Sequence, residues 1–172
     1  MSQPGGIAVY TMTLLRCADR YLMLKRGEHK RFAPGRWTGI GGRVEPDELD
    51  DVQTAALREI REETGLDPRE IERFTLRRSL LQQRPGHPLT ILLYFTGDAD
   101  RPVTPRCDEG SLHWLAGPDL AGIDIIENTR EIIPLLIDDM RQDPAGSRPT
   151  VTGAASFSAA GELRSIVWSR QE

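Results

Sequence analysis

The alternation of apolar and polar residues along the chain predicts a protein built mainly from β-strands. Runs rich in β-branched, aromatic and aliphatic residues, bounded by glycine, proline and polar turn residues, are typical of strands. Such runs occupy residues 7–16, 21–26, 37–44, 71–83, 89–97, 112–115, 150–158 and 163–168. The first two runs are joined by the short turn at Ala18-Asp19 and the last two flank Ala160-Gly161. Both pairs are therefore predicted to form β-hairpins.

A helix is predicted over residues 50–64, where apolar residues recur at helical spacing. Asp50 is a good N-cap, and Gln53 three residues later completes a capping-box pattern. Gly65 suits the position after the last turn because glycine readily adopts the left-handed conformation.

A second helix is predicted over residues 128–141. Pro134 lies inside it, and a proline there removes a backbone hydrogen bond and clashes with the preceding turn. We therefore expect a kink or a later start near Pro134. The order of strands, helix, strands, helix and strands predicts an α+β protein with a mixed sheet.

Composition and charge limit the classes of function. The 172 residues are most simply one domain, and 38% hydrophobic with 28% charged residues is typical of a soluble globular protein. The net charge of −4 does not favour a nucleic acid polymer as partner. No secretory signal pattern and no apolar run of about 18 residues is present, so we expect no membrane association. Two cysteines fit a reducing cytoplasm better than a disulfide framework, and the sequence leaves open a monomer or a homodimer.

Three carboxylates converge on one edge of the first helix. Glu59 and Glu63 are four residues apart, and Glu62 lies three residues after Glu59. Like charges at these spacings cost about 0.2–0.5 kcal/mol per pair. A hard divalent cation removes the conflict, and Mg²⁺ prefers such oxygen ligands, with Mn²⁺ as an alternative. Without further context, a solvated charged face would be the simpler interpretation.

The context changes that interpretation. Residues 58–66 read R-E-U-x-E-E-x-G-U, where U is a bulky aliphatic residue. With Gly42 and Glu48 upstream, the segment at about residues 41–66 resembles the box of the Nudix hydrolase family, G-x5-E-x7-R-E-U-x-E-E-x-G-U. Nine residues separate Glu48 from Arg58 here, instead of seven, and we assign the two extra residues to the loop before the helix. The insertion leaves open which acid pairs with Arg58: Glu45, Glu48 or Asp50.

The resemblance implies the Nudix fold, an α/β/α sandwich with a mixed central sheet and a C-terminal β-hairpin, as a single domain over residues 1–172. The run F-x-x-G-x-W-x-G-x-G-G, from Phe32 to Gly42, is similar to the oxidised-purine nucleoside triphosphatase branch. That branch implies Mg²⁺-dependent cleavage of a nucleoside triphosphate, such as 8-oxo-dGTP, to monophosphate and pyrophosphate. The alternatives are another nucleoside diphosphate derivative (ADP-ribose, a nucleotide sugar or a dinucleoside polyphosphate) and a nucleotide-binding module without hydrolysis.

By the same resemblance, Glu59 and Glu63 are the principal metal ligands, Glu62 is a further one, and the Gly41 carbonyl is a fourth. Glu63 and Glu62 are thereby placed in the catalytic centre. Arg58 is expected to orient carboxylates. Glu109, in the loop after the central strands, is either a metal ligand or general base, or an ordinary loop acid.

Six residues are predicted to bind substrate. Lys and Arg suit phosphate oxygens, Thr38 stands where the branch often has an asparagine, and acids before the late helix can contact a base. Trp114 either stacks on the base or belongs to the core. The six are Lys25, Arg43, Thr38, Trp114, Glu127 and Asn128.

Overall fold

The strands form one mixed sheet in the computed structural model, which describes residues 6–101, 103 and 106–169. In this part of the chain they are β1 (Ile7–Cys17), β2 (Arg20–Arg26), β3 (Trp37–Thr38), β4 (Ile71–Gln82), β5 (Leu89–Ala99), β6 (Arg106–Cys107), β7 (Gly110–Ala116), β8 (Val151–Phe157) and β9 (Leu163–Trp168). Each segment predicted as a strand contains one, although the predicted strand at residues 37–44 is shortened to β3. The two-residue β6 was not predicted.

The strand order is β6-β7-β2-β1-β5-β4-β8-β9, with β3 paired to β2. β1 runs parallel to β5, and β4 runs parallel to β8, whereas the other pairs of named strands are antiparallel. The mixed sheet and both predicted hairpins, β1–β2 and β8–β9, are therefore confirmed.

Two helices, α1 (Val52–Thr64) and α2 (Glu127–Gln142), cover opposite faces of the sheet. Successive strand residues point to opposite faces, and β1 shows this directly. Leu15 is buried in a cluster with Ile60 of α1, while its neighbour Leu14 is buried in a cluster with Leu136 of α2. This arrangement confirms the α+β class and the α/β/α sandwich.

The N-cap of α1 lies one residue later than predicted. Asp51, not Asp50, is the N-cap, and its Oδ1 accepts a hydrogen bond from the Thr54 amide at 3.0 Å. The predicted Asp50–Gln53 capping box is therefore wrong. The end was predicted correctly: Gly65 has φ +76°, and its N–H donates to the Arg61 carbonyl at 2.9 Å.

α2 begins at Glu127 and continues through Pro134. The prediction of a later start is wrong. A proline removes one amide donor from a helix, but Ile132, Ile133 and Leu136 around it are at least 98% buried. The apolar contacts of this face outweigh one lost hydrogen bond.

The segment after β3 lies along β1 and carries glycines into the middle of the molecule. Thr13 and Ile40 exchange two backbone hydrogen bonds, and the Thr11 amide donates to the Gly42 carbonyl at 2.8 Å. Only residues 37–38 of the predicted strand 37–44 are regular strand, because the chain turns outward around these glycines. No helix in the described residues is long and apolar enough to span a membrane.

Candidate active site

A cleft of about 1110 Å³ opens beside the glycine segment. Acidic side chains of α1 line one part of it, and residues at the start of α2 line another. The glycine segment lies between them because its backbone pairs with β1 in the centre of the sheet. The cleft thus brings together parts of the chain that are far apart in sequence.

Arg58 organises the carboxylates on α1. Its Nε and Nη2 contact the two carboxylate oxygens of Glu48 at 2.6 and 2.8 Å, a bidentate pair. Its Nη1 contacts Glu59 at 2.8 Å and Glu62 at 3.3 Å. Among the three acids that the sequence left open, Glu48 is the partner, and this ion pair lowers the pKa of Glu48 to about 2.

The two inserted residues do not displace Glu48, because the loop before α1 folds on itself. Pro46–Glu48 forms a short 3₁₀ turn, in which the Glu45 amide donates to the Glu48 carboxylate at 3.0 Å. The Glu48 amide in turn donates to the Glu45 carbonyl at 2.9 Å. The loop therefore absorbs the insertion and still presents the Glu48 carboxylate to Arg58.

Glu63 is the most deeply buried acid of the group, with 6% exposure. Its Oε2 accepts a hydrogen bond from the Gly41 amide at 3.0 Å. Burial raises the pKa of Glu63 to about 8, and the charges of Glu59 and Glu109 also raise it, against the Gly41 hydrogen bond and Arg26. Without a bound metal ion, burial therefore weakens the ordinary preference of this carboxyl for its ionised form.

Two glycines let the backbone approach the acids. Gly41 has φ +153°, and a Cβ there would lie 2.1 Å from the Thr11 carbonyl oxygen. A Cβ on Gly42 would lie 2.5 Å from Glu59 Oε2. Gly41 requires glycine because strand backbone fills the space of a Cβ, whereas a Cβ on Gly42 would require the Glu59 carboxylate to shift. The role of the Gly41 carbonyl as a metal ligand stays a prediction. The structure instead shows the Gly41 N–H donating a hydrogen bond to Glu63.

The donor set fits a hard divalent cation. Glu59, Glu62 and Glu63 supply carboxylate oxygens, and burial raises the pKa of Glu59 as well as that of Glu63, which is the conflict a cation would relieve. In the conformation described, the resolved side chains do not bring three such donors to one point. The reason is visible in the contacts: Arg58 holds Glu59 and Glu62, while Gly41 holds Glu63.

Glu109 lies in the same cleft and is held by one cation at the end of β2 and one in the loop that follows. Its carboxylate pairs with Lys30 and, at 3.9 Å, with Arg26. Arg26 lines the cleft, whereas the predicted Lys25 is exposed and is not among the lining residues described. The two neighbours point to opposite faces of β2, a distinction that the choice of Lys25 overlooked.

Three of the other predicted substrate residues line the cleft: Thr38, Arg43 and Asn128. Trp114 does not, because it packs against the α1-side core cluster that contains Leu22 and Leu112. Glu127 is also absent from the lining, and its carboxylate pairs with Arg36 at 3.1 Å and Arg84 at 3.4 Å. Neither residue therefore faces the cleft in the described part of the chain.

Several cleft residues were missed because they lie in segments predicted only as strands. Gln82 ends β4, and Tyr94 lies within β5. Strand alternation places Gln82 on one face with Leu80, and Tyr94 on one face with Leu92. That pattern could have grouped them, but the sequence gives no sign of which face meets a cleft.

Comparison with known proteins agrees with this geometry. The NUDIX domain family model matches residues 6–136. The mMutator MutT protein from Bacillus halodurans superimposes with a TM-score of 0.65 at 18% identity, covering 94% of this chain and 97% of that one. The MutT protein from Methanosarcina mazei Go1 gives a TM-score of 0.63 at 22% identity, covering 80% and 98%. A bifunctional NMN adenylyltransferase/ADP ribose pyrophosphatase from Francisella tularensis gives 0.62 at 20% identity, covering 80% of this chain and 42% of that one.

Proposed function

The chain belongs to the Nudix family of hydrolases, which cleave nucleoside diphosphates linked to a further group, and we propose that its substrate is a nucleoside triphosphate. The products would be a nucleoside monophosphate and pyrophosphate, and an oxidised purine such as 8-oxo-dGTP is the first candidate. The observation that carries this proposal is one cleft in which several acids, among them the buried Glu63, lie beside uncharged hydrogen-bonding side chains. The acids suit a cation and a phosphate chain, and Gln82, Asn128 and Thr129 suit a base.

Each group has a proposed role in this reaction. Glu59, Glu62 and Glu63 would hold Mg²⁺, or Mn²⁺, which when bound neutralises phosphate charge and activates water. Arg58 orients Glu59 and Glu62, while its pair with Glu48 fixes the guanidinium.

Glu109 is proposed to accept the proton of the attacking water, whose oxygen bonds to phosphorus as the bond to the pyrophosphate oxygen breaks. Arg26 lines the cleft beside Glu109, where it would face phosphate oxygens, and Lys30 pairs with Glu109.

We also propose that the C-terminal hairpin belongs to the same domain, although the family match ends at residue 136. β8 pairs with β4 from Arg78↔Val151 to Gln82↔Ala155, so the hairpin continues the central sheet. The two free cysteines, Cys17 and Cys107, support a reducing cytoplasmic location.

A substrate panel tests the proposed function. Purified protein with Mg²⁺ would be incubated with ordinary and oxidised deoxynucleoside triphosphates, ADP-ribose, nucleotide sugars and dinucleoside polyphosphates, with products separated by chromatography. Monophosphate and pyrophosphate from one triphosphate, absent with Glu63→Gln, would support the proposal. Preferential cleavage of ADP-ribose would favour the activity named for the Francisella protein. No product from any compound would favour a binding module.

The Arg58 network gives a prediction with internal controls. Glu48→Gln is expected to lower turnover by about 10–100-fold, because it breaks the bidentate pair that fixes Arg58. Glu45→Gln and Asp50→Asn change neighbouring acids that do not contact Arg58 among the described contacts, so both are expected to stay within about twofold of wild type. Steady-state kinetics of the four proteins would decide. Equal losses in all three variants would contradict the assignment of Glu48.

Glu109 gives a second prediction. Glu109→Gln is expected to lower turnover at least about tenfold, equivalent to about 1.4 kcal/mol of activation barrier, if it acts as the general base. Glu28→Gln, in the same loop region as Lys30, is the matched control and is expected to match wild type. A loss smaller than about tenfold in Glu109→Gln would indicate that Glu109 is an ordinary loop acid.

A further inference from the structure

The side-chain amide of Asn128, near the start of α2, is fixed in one orientation. Asn128 is 8% exposed, and its Oδ1 accepts a hydrogen bond from the Thr129 amide at 2.9 Å. A backbone N–H can only donate, so the side-chain atom that faces it must be the amide oxygen and not the NH₂ group. The NH₂ group of Asn128 therefore faces away from Thr129, towards the end of β4.

This orientation also fixes the amide of Gln82, the last residue of β4. Asn128 Nδ2 donates to Gln82 Oε1 at 3.4 Å, and the opposite orientation of Gln82 would place two NH₂ groups against each other. Gln82 Nε2 makes no hydrogen bond among the described residues, and it does not belong to the buried atoms that lack a partner. Gln82 is half-buried and lines the cleft. Its NH₂ group is therefore a donor that a ligand in the cleft is able to reach.

The surroundings of Gln82 favour a ligand atom that accepts hydrogen bonds. Thr90, the register partner of Gln82, and Arg84, two residues further along the chain, also line the cleft. The guanidinium of Arg84 is paired with Glu127 and stacked on the Phe157 ring. The lining acids that the structure describes lie elsewhere, on α1 and in the turn between β6 and β7. Because the amide is uncharged and Arg84 is paired, this end suits a neutral carbonyl oxygen better than a phosphate.

We propose that Gln82 is a specificity-determining residue whose NH₂ group donates a hydrogen bond to a carbonyl oxygen of the nucleobase. That the ligand is a nucleotide rests on the proposed function. A 6-keto purine, such as guanine or 8-oxoguanine, presents O6 as an acceptor, whereas adenine presents an amino donor at the same position. An amino group opposite the NH₂ of Gln82 leaves both donors unpaired, so the site discriminates against adenine.

The test compares the binding of IMP and AMP, two purine monophosphates in which position 6 carries either the carbonyl oxygen or the amino group. Calorimetry on the full chain with Mg²⁺ should give a Kd for IMP at least tenfold below that for AMP. Gln82→Glu replaces the donor with an acceptor oxygen of similar size, and Asn128 is still able to donate to the other oxygen. We expect this variant to bind IMP at least fivefold more weakly than wild type, and AMP no more weakly. A purely structural role would not move the two affinities apart in this way.

Gln83→Glu is the matched control, since Gln83 is exposed and is not among the lining residues described. It introduces the same charge one residue away and should keep both affinities, while melting temperatures check that both variants fold. Equal binding of IMP and AMP by wild type, no binding of either, or equal changes in the two variants would overturn the role of Gln82. Equal weakening of IMP, AMP and inorganic pyrophosphate in Gln82→Glu would also overturn it, and would place phosphate at this end.

Binding without turnover separates this inference from the proposed function. A preference for IMP that depends on Gln82, combined with no cleavage in the substrate panel, would keep the inference and reject the hydrolytic function. Cleavage of a triphosphate without that preference would keep the proposed function and reject the inference.

Discussion

Glu63→Gln is expected to reduce turnover by at least about a hundredfold, the scale of losing one major group that stabilises transition-state charge. Glu63 is the most buried acid of the cluster and accepts a hydrogen bond from the Gly41 amide. Glutamine preserves the shape and can still accept that hydrogen bond, but it lacks the charge that a divalent cation requires. Steady-state kinetics with Mg²⁺ would measure the loss, and Glu131→Gln on the exposed face of α2 is the matched control.

The same substitution is expected to stabilise the metal-free protein at alkaline pH. The pKa of Glu63 is about 8 in the folded protein, above its ordinary value of 4.5. Between these values the folded state holds a proton that the unfolded chain has released, so stability falls as pH rises from about 4.5 to 8. A shift from 4.5 to about 8, at about 1.4 kcal/mol per pKa unit, makes the full loss on the order of 5 kcal/mol, and this loss is absent in Glu63→Gln.

Thermal denaturation in EDTA at pH 5.5 and pH 8.5 would show the effect. Wild type should lose stability between the two values more steeply than Glu63→Gln, and Mg²⁺ should raise the melting temperature of wild type alone. Turnover in Glu63→Gln within tenfold of wild type would contradict the metal-ligand assignment. Parallel pH profiles for the two proteins would contradict the raised pKa of this carboxyl.

Gly41→Ala is the second substitution with a large expected effect. A Cβ at Gly41 would lie 2.1 Å from the Thr11 carbonyl oxygen, and the residue has φ +153°. The obstacle is strand backbone, which cannot rotate away as a flexible side chain can. We expect a destabilisation of at least about 3 kcal/mol and a turnover loss above tenfold, because the N–H that holds Glu63 must move.

Gly6→Ala is the control for backbone conformation. Gly6 has nearly the same φ, +157°, but a Cβ there meets nothing within 4 Å. Gly6→Ala should therefore lower the free energy of unfolding only through its backbone conformation, by about 1–2 kcal/mol. Turnover should be unchanged. Thermal denaturation and kinetics of the two variants would separate the clash from the strain. Equal effects at Gly6 and Gly41 would show that the close approach to Thr11 is unimportant.

Local sequence signals gave most of the secondary structure. The helical spacing of α1 and the glycine that ends it involve residues within one or two turns, so the pattern contains the information needed. The start of α1 was missed by one residue because Asp50 and Asp51 are both suitable caps and only the path of the loop chooses between them. For α2, the penalty at Pro134 was visible in the sequence, but the burial that outweighs it was not.

The site divides in the same way. The sequence by itself determined the fold class, the family box and the carboxylates Glu59, Glu62 and Glu63, because these depend on spacing along one helix. Only the tertiary structure decided that Glu48 is the acid that contacts Arg58, and that Arg26 rather than Lys25 faces the cleft. It also decided which residues far apart in the sequence form contacts. Lys30 hydrogen-bonds Glu109, 79 residues away, and Asn128 hydrogen-bonds Gln82, 46 residues away. Such contacts depend on how strands and helices pack, and no short-range pattern specifies that packing.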